Sequence, residues 1–217
     1  MGAIPKAVID TLGFLDRVKL MVRMSDDNAA GSVISDLGFP FIYATMVNEG
    51  LYSPQKHGLW VGSSYSTEYA AKVYVVEPTG EDITVGATAF SIALFMTRLI
   101  QRKLVKDYGK HTPAQDMLDI MEELSSSGIG TASRFLLKGG LKMGDVAFSK
   151  IGMDIFDKGR DARDSEGAVI ERTMTTKKGH PKQLQYVAVA LQAPHEAIMP
   201  KVIRAIDDYV AEAHFDD

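Results

Sequence analysis

Two short stretches of this chain bring together groups that can move a proton or hold an anion. Ser25-Asp26-Asp27-Asn28-Ala29-Ala30 closes one segment of helical period, and Ser149-Lys150-Ile151-Gly152 closes a segment of strand-like composition. Hydroxyl, carboxylate, amide and ammonium groups are the working groups of acyl transfer and proton relay. Each stretch also has a local structural reading. Ser25 and Asp26 are good helix-capping residues, and Lys150 reads as an ordinary strand lysine. A third pattern, Ser53-Pro54-Gln55-Lys56, places a serine three residues before a lysine. Gly58 and Trp60 follow it without helical period, and a tetrad fixed at two positions recurs often by chance.

Other reactive types are scattered. His57 stands near Trp60 in a loop, and His111, His180, His195 and His214 share no metal-ligand spacing, so no metal site and no cofactor are expected. No glycine-rich phosphate loop is present. Met117 and Met121, four apart, read as core. Glu49, Glu68 and Glu77 fall in or beside the loop region as candidates for a hydrolytic base, with nothing in their flanks to select one.

Composition narrows the classes. The chain has 217 residues, 46% apolar and 24% charged, enough for one sizeable core or two lobes sharing it. A net charge of −4 supplies no basic field for nucleic acid or an anionic membrane. With no cysteine, disulfides and thiol chemistry are out. No apolar run is long enough to span a bilayer, and Met1–Pro5 lacks the pattern of a secretory signal, so the expectation is a cytosolic chain or a mature or trimmed form.

The elements that must position these groups follow from periodicity. Ile9, Leu12, Leu15, Val18, Leu20, Met21 and Met24 predict helix over residues 4–24. The cluster at 25–28 stops it and caps a second helix, Ala29 to Leu37. A short helix follows through Phe41, Ile42, Met46 and Val47. Residues 51–83 read as a long irregular region with one short strand at 71–76. The most apolar helix is predicted from Gly86 to Leu104. Another opens at Thr112-Pro113, and a short one passes through residues 135–137. The period then changes: residues 145–151, 167–173 and 184–192 read as three antiparallel strands, the last apolar on both faces, before an amphipathic helix from Pro200 to Ala213. The expected fold is α+β, one domain over residues 1–217, with a helical lobe at about 4–140 and a sheet with terminal helix at about 141–213.

That order of elements, with those stretches in those places, resembles the C-terminal two thirds of the serine β-lactamase and penicillin-binding-protein fold, over residues from about 6 to 213. The family is read by S-x-x-K, S-D-N and K-T-G. Met21–Ala30 resembles its helix ending in S-D-N, and Phe148–Gly152 falls where the family places K-[ST]-G. Gly58–Gly62, Gly86–Ala89, Ser165–Ile170, Tyr186–Leu191 and the last helix resemble further stretches found in serine-hydrolase homologues of this type in bacteria. The resemblance implies that Ser25 and Lys150 are catalytic, the serine relaying a proton to the leaving group while the lysine holds it and attracts an anion. It implies that Asp27, Asn28, Ile151 and Gly152 contact substrate, a small amide, ester or peptidoglycan-like ligand, in a periplasmic or secreted setting.

The departures are specific. Asp27 stands third in S-D-N with asparagine displaced to Asn28. Ile151 brings no hydroxyl to the middle of K-[ST]-G. The family's N-terminal strands and the helix bearing S-x-x-K have no counterpart, so the expectation is a domain with little or no acyl transfer of its own, or a non-catalytic binding or assembly domain reusing the fold. A hydrolase with a relocated nucleophile, Ser53 or Ser63-Ser64, is a third reading. The missing first strand would pair beside residues 184–192, whose lack of charge and proline predicts a covered edge: an N-terminal segment, a second copy or the terminal segments.

Overall fold

Helical period continues from Ile4 to Met24, yet the chain folds it as two helices. A computed structural model describes residues 4–62, 85–101, 103–104, 139–141, 145–156 and 161–214. The first helix, α1 (Lys6–Ile9), stops before Gly13, and α2 (Phe14–Met24) starts from it. Glycine inside a helix costs about 1 kcal/mol relative to alanine, so the break falls there. α3 (Asp27–Leu37) and α4 (Phe39–Asn48) follow, separated by Gly38 at φ 78°, a conformation that suits a residue without a Cβ.

The chain divides into two compact units, Met1–Glu123 and Leu124–Asp217. In the first, α3 buries a continuous run of small and polar residues, Asn28 to Val33. Arg17 of α2 ties to it by donating to Ser32 Oγ at 2.5 Å and pairing with Asp36 at 2.6 Å. Residues 51–62 are not featureless: β1 (Tyr52–Ser53) pairs with β2 (His57–Gly58), and β3 (Trp60–Val61) pairs with β4 (Val85–Gly86). Tyr43, Tyr52 and Trp60 form an aromatic cluster with ring centroids 5.1–6.0 Å apart. The apolar helix α5 (Ala89–Ile100) begins three residues later than its periodicity suggests, because Thr88 and Ser91 form a capping box, each side chain accepting from the other's backbone N–H at 3.1 Å. The strand expected at 71–76 and the helices expected at 112–124 and 135–137 lie outside the described residues, as do Ser63, Ser64, Glu68, Glu77 and His111.

The second unit holds one three-stranded antiparallel sheet, β5 (Val146–Phe156), β6 (Asp161–Thr175) and β7 (Pro181–Pro194), in that spatial order. Helix α6 (His195–His214) starts earlier than Pro200, which lies inside it. The strands are longer than their apolar segments, since charged residues at the ends of β6 still find ladder partners. Ala168, Ile170, Ala188 and Leu141 pack with Ile203 of α6, while Ala190, Ala193 and Met199 form a second cluster. The doubly covered run is Ala168–Ile170 on the central β6, each residue fully buried. Val187, Val189 and Leu191 of β7, expected to be covered on both faces, are only partly buried because β7 is a sheet edge among the described residues.

Candidate functional site

Ser25 is the last residue out of α2, and its backbone turns left-handed there, at φ 52° and ψ 42°. Glycine is the usual occupant of that helix-ending conformation, so a serine in it carries a cost of about 1 kcal/mol. The residue is exposed. Asp26 follows in extended conformation as the N-cap of α3, its Oδ1 accepting from Ala29 N at 2.8 Å. Its other oxygen accepts from Ile4 N at 2.6 Å. Asn28 Nδ2 donates to Ile4 O at 3.0 Å, so the two side chains hold both polar groups of one residue, Ile4. Asp27, in the first turn of α3, is exposed, whereas Asn28 is buried. The capping chemistry read from sequence thus builds this corner: one carboxylate finishes a helix and anchors the incoming chain.

Ser53-Pro54-Gln55-Lys56 is a hairpin turn. Ser53 ends β1 opposite His57 of β2, and Lys56 N donates to Ser53 O at 3.1 Å. Ser53 Oγ donates to Gln55 Oε1 at 3.2 Å, and Lys56 is exposed. This backbone does not have the helical rise that sets a lysine one turn above a serine.

In the second unit, Lys150, Ile151 and Gly152 are consecutive on β5, opposite Gly167, Glu166 and Ser165 of β6. By alternation Lys150 lies on the face of Gly167 and Val169, and Ser149 on the face that packs α6. Ser149 is fully buried with no hydrogen-bond partner for Oγ among the described residues, and Glu166 is 1% exposed on that same face. Neither is distinguishable in sequence from a solvated strand residue. Nearby, Asp207 of α6 is buried and accepts from Arg172 Nη2 at 2.5 Å and from the Tyr186 hydroxyl. Burial, then the Asp207 carboxylate, pushes the Tyr186 phenol well above its ordinary range.

The predicted site residues therefore form two groups, Ser25, Asp27 and Asn28 at one helix junction and Lys150, Ile151 and Gly152 on one strand. Among the described residues, no group of three His, Asp or Glu side chains is arranged to hold a metal ion, and no single helix is long and apolar enough to cross a membrane.

No protein-family model matches the chain. No curated protein matches it either. Among solved structures it is similar to the crystal structure of L2 complexed with relebactam, at 15% identity and a TM-score of 0.57. The fold is β-lactamase-like. The likeness covers 92% of this chain but 64% of that one, so the chain spans less than two thirds of the neighbour's length. At this identity the β-lactamase-like fold carries over and the chemistry does not.

Proposed function

We propose that the chain is a serine-hydrolase-like domain of the β-lactamase and penicillin-binding-protein kind, in which residues 1–217 do not themselves form an acyl-enzyme. The observation that carries this reading is the hairpin geometry of Ser53–Lys56: its serine is engaged with Gln55 and its lysine is a turn residue. A complete parent would take its nucleophile from a serine outside these residues; the resemblance gives Ser25 a proton-relay role and gives Lys150 the supply of positive potential for an anionic ligand. The same resemblance makes Asp27 and Asn28 on α3, and Ile151 and Gly152 on β5, candidate ligand contacts. The ligand class is a small amide or ester, peptidoglycan-like compounds included. The similarity to a structure solved with a small molecule, relebactam, supports that size of ligand.

The second reading is a non-catalytic binding or assembly domain, and one observation favours it. The amide of Asn28 and the carboxylate of Asp26 are already engaged with the backbone of Ile4.

Intact-mass spectrometry after incubation with a fluorescent penicillin and a fluorophosphonate tests the first reading, with Ser25→Ala and Ser53→Ala alongside. The expected result is no covalent adduct on the folded chain. A stoichiometric adduct lost in one variant overturns it and names the nucleophile.

A further inference from the structure

Ser25 to Asn28 are consecutive polar residues at the α2–α3 junction, and burial divides them into two kinds. Asp26 and Asn28 are 6% and 7% exposed and turn inward, bonded to Ala29 N and to both backbone groups of Ile4. Ser25 and Asp27 are exposed. Of the two candidate ligand contacts on α3, only Asp27 therefore presents its side chain to solvent.

The Asp27 carboxylate has no hydrogen bond or ion pair among the described residues. The basic residues of α2 do not neutralise it. Arg17 is held by Ser32 and Asp36, and neither Lys19 nor Arg23 pairs with it. An asparagine amide offers a donor and an acceptor, so it can meet either end of a ligand amide. An ionised carboxylate only accepts. Asp26 and Asp27 together also meet the preference of the α3 amino end for negative charge, so that end does not call for an anion. A negative group brought beside Asp27 meets like charge, and a cation or an N–H donor meets its complement.

We propose that Asp27 sets the ligand class at this corner: the part of the ligand that reaches α3 carries an amine, and the ligand is a small amide or ester bearing one. This inference rests on the reading of the corner as part of a ligand site, and it names the chemistry that the site selects.

Two penicillins that differ by one amine separate the inference from the reading beneath it. Ampicillin carries an α-amino group on the side chain where benzylpenicillin carries hydrogen. Calorimetric titration of the full chain at about pH 6, below the ordinary α-amino range, keeps that amine charged. The expected result is tighter binding of ampicillin by about threefold, the scale of an exposed ion pair, with the gap narrowing as salt is added. Asp27→Asn keeps the shape and removes the charge, and it is expected to bring the two dissociation constants together. Asp27→Glu is expected to keep the preference. Asp27→Ser, also neutral and suited to a helix start, serves in place of the asparagine variant if that chain misfolds. Equal binding by the parent, tighter binding of benzylpenicillin, or a preference that survives loss of the charge overturns the role of Asp27 and leaves the ligand site standing. Binding of neither compound by the folded parent overturns the site itself, and this inference with it.

Discussion

Asp26 and Asp207 are both buried carboxylates that hold two elements together, and they do so by different means. Asp26 accepts from backbone N–H groups of Ala29 and Ile4. Asp207 accepts from side chains, Arg172 and Tyr186, on two different strands. Backbone donors remain when neighbouring residues are mutated, so the first corner is robust to changes around it. The second is a closed network in which each member depends on the others. The corner bearing Ser25 is therefore built to keep its shape while its side chains vary, and the α6 contact is built to fail as a unit.

The largest effect should come from Asp207→Ala. It leaves the Arg172 guanidinium and the Tyr186 hydroxyl partly buried without their acceptor, and denaturant unfolding should show a loss of about 3 kcal/mol. Asp26→Ala removes a helix cap and the tie to Ile4, with an expected loss of about 2 kcal/mol in the same assay. A loss at Asp26 exceeding that at Asp207 would invert the comparison.

Tyr186→Phe should cost about 1 kcal/mol near neutral pH, and it sharpens the contrast through pH. The phenol titrates higher in the folded chain than its ordinary value near 10. Its contribution is thus complete below that value and declines as pH rises above it toward the folded-state value. Unfolding free energy followed above pH 10 should fall more steeply for the parent than for Tyr186→Phe; parallel curves would remove Tyr186 from the network. The smallest effect is a gain. Ser25→Gly should raise stability by about 0.5–1 kcal/mol by relieving the left-handed backbone, measurable as a higher Tm. It should at the same time weaken ligand binding if the hydroxyl serves the site.

The same contrast explains what sequence made legible. Asp26 before an apolar helix is a local signal, and so were the α3 cap, the three antiparallel strands and the final helix, because each depends on neighbours close in the chain. The α1–α2 break hinged on one glycine within a continuous apolar period, which outvoted it. Arg172, Tyr186 and Asp207 are brought together only by strand pairing and helix packing, and nothing in their flanks marks them. Apolar composition marks β7 as covered on both faces, and composition does not separate a central strand from one at the end of the described sheet. Only the family resemblance marks Ser25 and Lys150, since locally one is a helix-end residue and the other a strand lysine.

The central functional claim is that residues 1–217 bind a small amide ligand without forming an acyl-enzyme. Calorimetric titration of the folded chain with an intact penicillin, followed by intact-mass spectrometry of the same sample, tests it most directly. The account predicts saturable binding, weakened by Ser25→Ala, with no increase in mass. No binding by the folded parent, or a stoichiometric covalent adduct, would contradict it.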